Sequence, residues 1–206
     1  MSENREIEAK VLLSQANYQQ IQQAFPLKAR FRQQNFYFET PNKRLKQAKT
    51  SLRIRCYEDR AECTLKVPEQ QQWQQRFHES RELNADLTLA ESQALLAAAK
   101  AGDTITFPGI VGQYLATHYP DAPLKLVTWS KTDRSLLSGP HQVELTLDDT
   151  SYPDGYRDYE LEIENHVPAI IAKVQAELTA TFRLTITVTN RNQSKIGRAF
   201  KHQRAL

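Results

Sequence analysis

Charged and apolar positions alternate with a period of two over much of the chain, which places each set on its own face of an extended strand. Over Arg5–Leu13, Glu6, Glu8 and Lys10 alternate with Ile7, Ala9 and Val11. Ser51–Tyr57 sets Arg53 and Arg55 against Leu52, Ile54 and Cys56, and Ala61–Val67 sets Glu62, Thr64 and Lys66 against Cys63, Leu65 and Val67. Asn35–Glu39 is an aromatic run closed by Pro41. Phe77–Leu83, Leu126–Leu136 and Gln142–Asp148 are further predicted strands, and in Arg157–Glu164 the residues Glu160, Glu162 and Glu164 face away from Leu161 and Ile163. Arg183–Thr189, rich in Thr, Ile and Val, reads as a ninth strand or an irregular extension.

Helical patterns are fewer. Ser14 caps a predicted helix over Tyr18–Phe25 that Pro26 ends. Thr88 caps Leu89–Ala101, with Glu91 at the capping-box position and Gly102 as the stop. Ile110–His118 reads as helix up to Pro120, Pro168 opens a helix over Ala169–Thr181, and Ser194 caps a last one carrying Lys195, Arg198 and Lys201. Many antiparallel strands with a few helices give an α+β class, mostly β. No repeat or linker interrupts residues 1–206, so one domain is expected; Glu69–Gln75 reads as a polar connection.

Composition narrows the function classes. At 40% hydrophobic and 25% charged residues, the 206-residue chain has ordinary globular usage. No apolar run approaches the ~20 residues of a membrane span, and the polar Met1–Glu6 lead does not read as a secretory signal. Cys56 and Cys63 are the only cysteines, which suits a reducing cytoplasm better than a disulfide framework. A net charge of +3 gives no reason to expect nucleic acid as a partner. A cytoplasmic protein that binds neither membrane nor nucleic acid, as a monomer or homodimer, is the expectation.

The charged strand faces carry the chemistry. Carboxylates stacked at i and i+2 repel one another, yet they occur at both ends of the chain, as Glu6 with Glu8 and Glu160 with Glu162. Brought together, the two pairs make a hard-oxygen site suited to Mg²⁺ or Mn²⁺. The complementary set is Lys10, Arg53, Arg55, Lys66 and Arg134; arginines at i and i+2 project parallel forks that fit phosphate oxygens. If the strands close into a barrel, these faces line its interior while helices cover the apolar exterior, and Lys195 and Arg198 add cations at one mouth. A phosphate-binding P-loop, a G-x-S-x-G elbow and an H-E-x-x-H helix are all missing from the sequence, and the five histidines lack metal-ligand spacing.

In order along the chain, several motifs resemble those of the CYTH superfamily, the triphosphate tunnel metalloenzymes. Glu6-Ile7-Glu8-Ala9-Lys10 resembles its E-x-E-x-K signature, Leu52-Arg53-Ile54-Arg55 its paired-Arg strand, and Thr64-Leu65-Lys66 its T-x-K strand. Glu79 and Glu82 sit where an acidic strand follows. Thr132-Asp133-Arg134 resembles the T-x-R strand, Leu147-Asp148 the single-Asp strand, Tyr159–Glu164 the second acidic strand, and Ser194-Lys195 the C-terminal lysine motif. The likeness runs from residue 5 to 198 and is greatest to bacterial stand-alone CYTH proteins.

The resemblance implies a closed eight-stranded antiparallel β-barrel, a tunnel with helices packed outside, that binds triphosphate with Mg²⁺ or Mn²⁺. By position, Glu6, Glu8 and Glu162 would ligate metal, with Glu160 and Asp148 as further ligands or water-positioning groups. Lys10, Arg53, Arg55, Lys66, Arg134 and Lys195 would hold the phosphates, with Lys10 also beside the reacting group. Animal thiamine triphosphatases carry a Trp just before the paired-Arg strand; here Thr50-Ser51 stands there, and Trp73 and Trp129 lie elsewhere. The short Met1–Arg5 lead also lacks the extra residues of class IV adenylate cyclases. A metal-dependent triphosphatase acting on inorganic triphosphate is therefore expected. The alternatives are a non-catalytic polyphosphate- or nucleotide-binding module, a thiamine triphosphatase and a class IV-type cyclase.

Overall fold

The computed structural model describes residues 2–69 and 77–204. Eight strands form in chain order: β1 (Ser2–Leu13), β2 (Leu27–Glu39), β3 (Ser51–Cys56), β4 (Ala61–Pro68), β5 (His78–Leu87), β6 (Lys125–Ser138), β7 (Glu144–Ser151) and β8 (Arg157–Glu164). They close into one antiparallel barrel in the order β1-β5-β4-β3-β2-β6-β7-β8, as the mostly-β reading anticipates. Around it lie α1 (Gln15–Ala24), α2 (Arg44–Gln47), α3 (Leu89–Ala101), α4 (Gly109–His118), α5 (Pro168–Phe182) and α6 (Lys195–Lys201). None of these helices is long and apolar enough to cross a membrane.

Period-two patterning decides which face turns in. The apolar faces turn outward into two clusters. In one, Leu52, Ile54, Leu65 and Leu83 pack beneath Leu96 of α3 and Val111 and Leu115 of α4. In the other, Ile7, Leu147, Leu161 and Ile163 pack beneath Ile21 of α1 and Ile171, Val174 and Leu178 of α5. Each fully buried Leu or Ile contributes about 1.5–3 kcal/mol, so the helical cover is what stabilises a barrel whose lumen is polar. Local signals set the helix ends as expected. The Thr88–Glu91 capping box is complete, and Gly102 stops α3 at φ 87°, in the left-handed region that favours glycine.

Four features depart from the sequence reading. β2 begins at Leu27: Leu27, Ala29 and Phe31 alternate with Lys28, Arg30 and Arg32, a period-two pattern before Asn35 that the sequence reading passed over and that pairs with β6 while its apolar side stays only partly covered. β7 starts at Glu144, after a 3₁₀ turn over Pro140–Gln142, and α2 is a short helix with no periodic signal. Arg183–Thr189 is irregular, the second of the two alternatives; Arg183 at φ 52° ends α5. Just beyond it, the Leu12 N–H donates to the Asn190 carbonyl at 2.8 Å and the Asn192 N–H to the Lys10 carbonyl at 2.8 Å. This segment thereby covers the part of β1 past Glu8, where pairing with β5 ends. Finally, α6 does not pack outside. Its residues meet β6, β7 and β8 from within one end of the barrel, because its Lys195 and Arg198 are drawn to the lumen carboxylates. Most of the expected Glu69–Gln75 connection lies outside the described residues.

Candidate functional site

The lumen is built from the polar alternate residues of all eight strands. β8 contributes Glu160 and Glu162 and β7 contributes Asp148, whose Cα is in register with that of Glu160. These three carboxylates each bring an oxygen within 4.8 Å of the others, and all three residues are buried. β1 adds Glu6, Glu8 and Lys10 beside them, Lys10 being in register with Glu162. On the far side of the barrel, β3 and β4 carry Arg53, Arg55 and Lys66.

Every acid in this site is engaged by a cation. Lys10 Nζ lies 3.0 Å from both Glu8 and Glu162. Arg134 forks onto Asp148 with hydrogen bonds of 2.7 and 2.6 Å and donates to Glu162 at 2.8 Å. Lys195 pairs with Asp148 and sits 3.0 Å from Glu160. Lys66 bridges Glu6 at 2.5 Å, Glu8 at 3.2 Å and Glu82 at 3.3 Å. Arg55 donates from Nε to Asn35 Oδ1 at 2.9 Å and also meets Tyr57 and Glu62. Arg53 is the least committed, with Glu82 4.0 Å away.

Close packing of opposite charges splits the carboxyl groups. Burial raises Glu6, with Glu8 adding to it, and carries its carboxyl up to about 8. Burial works on Glu8 in the same direction, but the Lys10 and Lys66 ammoniums outweigh it and hold that carboxyl at about 2. Glu82 is likewise held at about 2 against burial, by Lys66 and Arg53. Burial is overcome at Asp148 by Arg134 and Lys195, and at Glu162 by Lys10 and Arg134, so both lie below the usual carboxylate range. Glu160 lies above it because burial prevails over Lys195 and Arg198.

All the candidate residues thus meet in one lumen, with the compact triad on β7 and β8 and Glu6 and Glu8 one strand away. Sequence reasoning put Arg198 with Lys195 at one mouth of the barrel but missed its partners Asp158 and Tyr152. Arg198 there is 4% exposed and meets Glu160 at 2.5 Å, Asp158 at 2.8 Å and the Tyr152 hydroxyl at 3.0 Å. Asp158 continues the Glu160–Glu162 face by two residues, a signal that was available; Tyr152 carried none. Among the tyrosines, Tyr114 stacks on His118 in α4. Tyr37 is buried with its hydroxyl against Ser130. Tyr57 has the Arg60 guanidinium over its ring at 4.1 Å and a tilted contact with Phe31 at 5.9 Å.

The CYTH domain family matches residues 4–191. No curated protein matches the chain. Among solved structures, a Bacillus halodurans protein proposed to be an adenylate cyclase is 28% identical, with a TM-score of 0.80, over 97% of this chain and 100% of its own. A Hippeastrum protein, proposed as an adenylyl cyclase but with a dominant triphosphatase activity, shares the fold at 20% identity and TM-score 0.77, over 98% and 97% of the two chains. A Vibrio parahaemolyticus protein, also proposed as an adenylate cyclase, shares it at 16% identity and TM-score 0.55, over 95% and 97%.

Proposed function

The chain belongs to the CYTH domain family, and on that footing we propose that it is a metal-dependent hydrolase of triphosphate, acting on inorganic triphosphate in preference to substrates with an organic group. One observation carries the reading: a buried carboxylate triad on β7 and β8 faces a wall of cations on β3 and β4 across one lumen. Three buried carboxylates are the donor set that hard divalent ions such as Mg²⁺ or Mn²⁺ take. Glu162, with Asp148 and Glu160 beside it in the triad, would hold the ion, and Glu6 and Glu8, the other ligands that the resemblance implies, would complete the site or position water. When bound, such an ion draws electron density from the phosphoryl group and lowers the pKa of water. Lys10, Arg53, Arg55, Lys66, Arg134 and Lys195 bind the phosphate oxygens and neutralise charge as it moves toward the leaving diphosphate. With those carboxylates held by a metal, the cations now paired with them would be free to bind phosphate.

The preference for bare triphosphate follows from the packing of the aromatic rings. Tyr37 is buried and the Arg60 guanidinium lies over the Tyr57 ring, so an organic group gains little stacking from either. Phosphate release should be measured from inorganic triphosphate, ATP, thiamine triphosphate and pyrophosphate with each metal. Triphosphate should have the highest kcat/KM, and Glu162→Gln should abolish turnover with the fold intact. A triphosphate-to-ATP ratio at or below one overturns the preference. Cyclic AMP among the products would instead favour a cyclase, the activity proposed for the Bacillus halodurans protein.

A further inference from the structure

The wall opposite the carboxylate triad holds hydrogen-bond donors that nothing among the described residues satisfies. Asn35 on β2, Arg53 on β3 and Thr64 on β4 lie on three consecutive strands, Arg53 in register with Thr64 and Asn35 with Arg55, two residues further along β3. Among the described residues, Asn35 Nδ2, Arg53 Nε and Thr64 Oγ1 have no hydrogen-bond partner. Asn35 and Thr64 are each only 1% exposed. Buried donors are costly to leave unpaired, and three on adjacent strands mark a place where something else accepts from them.

Asn35 is oriented for this. Arg55 Nε can only donate, so the atom it meets at 2.9 Å has to be the amide oxygen. Asn35 Nδ2 is thereby turned away from Arg55 with both of its hydrogens unused. The side chain orients one guanidinium and offers a neutral donor of its own. Two residues along the same face, Gln33 leaves both amide atoms without a partner.

We propose that Asn35, with Thr64 and Arg53, forms a phosphate-oxygen subsite on the β2–β3–β4 wall, which holds the part of the triphosphate that faces away from the carboxylate triad. This rests on the triphosphatase reading and adds two uncharged residues to the substrate contacts. Neutral donors suit that position, since the metal-facing side is crowded with carboxylates that a further cation would pair with instead. Asn35 acts both as a binding residue and, through Arg55, as a positioning residue.

The test separates these roles. Asn35→Asp keeps an oxygen for Arg55, and a charged one, but replaces the Nδ2 donor with an anion. If Asn35 only orients Arg55, Asp serves as well as Asn. If Nδ2 donates to substrate, Asp repels it. Steady-state hydrolysis of inorganic triphosphate with Mg²⁺, and equilibrium binding of the same anion in a chelator, are measured on wild type, Asn35→Ala, Asn35→Asp and Thr64→Val. Circular dichroism and melting serve as the folding check. For Asn35→Ala, KM and Kd should rise about ten- to hundredfold, the range of a lost hydrogen bond to a charged group, with a smaller change in kcat. Asn35→Asp should be worse than Asn35→Ala, and Thr64→Val should raise KM several-fold. Should Asn35→Asp not fold, the Asn35→Ala and Thr64→Val values decide. Wild type that neither binds nor hydrolyses triphosphate removes the parent reading. Wild type that does both, with Asn35→Asp equal to wild type or Asn35→Ala and Thr64→Val unchanged, overturns this subsite alone.

Discussion

Replacing Arg198 with methionine should destabilise the protein more than any change to a single surface charge. Its guanidinium is buried at the base of α6 and meets Glu160, Asp158, the Tyr152 hydroxyl and, at 2.6 Å, the Gln193 carbonyl. Methionine preserves the long apolar stem and deletes the charge, so Asp158 and Glu160 remain buried without that partner. Breaking a buried ion pair by removing one member costs about 3–5 kcal/mol. In a chain of this size each kcal/mol shifts Tm by about 2–4 °C, giving an expected fall of about 6–20 °C. Calorimetry near neutral pH in a chelator reads it. Asp158→Asn completes a double-mutant cycle: if charge pairing is the cause, Arg198→Met costs about 0.5–3 kcal/mol less once Asp158 is neutral. A Tm within about 3 °C of wild type, or strict additivity of the two changes, refutes the reasoning.

Stability of the metal-free protein should fall on both sides of the ordinary carboxylate value of 4.5. Glu8 and Glu82, held at about 2, contribute stability above 4.5 that is lost as pH falls toward 2; Glu6, held at about 8, contributes stability below 4.5 that is lost as pH rises to about 8. Glu6→Gln should flatten the upper limb of a Tm-against-pH curve, and a limb unchanged by that substitution shows that another group is responsible. Cys63, whose thiol burial drives up to about 12, should resist a thiol reagent until denaturant is added; rapid labelling in the native protein contradicts its place beneath α3 and α4. The buried Glu39 carboxylate accepts the N–H groups of Thr40, Leu45 and Lys46 and so holds α2, and Glu39→Ala should cost about 2–4 kcal/mol in urea unfolding.

Strands with one charged and one apolar face, such as β1, β3, β4 and β8, were legible from periodicity alone, and the same alternation put Glu8, Arg53, Lys66 and Glu162 in the lumen. The start of β2 was legible in the same way, since Leu27, Ala29 and Phe31 alternate with Lys28, Arg30 and Arg32, but it was passed over, its apolar side being short and only partly covered. The compact triad was legible only in part. Asp148 has threonines, not carboxylates, at i−2 and i+2, and its closeness to Glu160 comes from the β7–β8 register, which the sequence does not spell out. Asn35 was hidden inside an aromatic run that reads as core. Arg198 was visible as a late cation, but only the seating of α6 within the barrel end makes it a partner of Glu160.

The way the segment around Asn190–Asn192 completes the edge of β1 has a kinetic consequence. β1 is made first, yet its partners are β5, β8 and this late segment, so its pairings close loops that span most of the chain. Such non-local pairing is slow, because the chain entropy of closure is lost before the contacts form. During synthesis the barrel cannot shut until β8 has emerged, and its lumen carboxylates lack Lys195 and Arg198 until the last stretch follows. An unfinished chain therefore holds uncompensated acids on an open sheet. The ring becomes electrostatically self-consistent only when both ends of the chain have met.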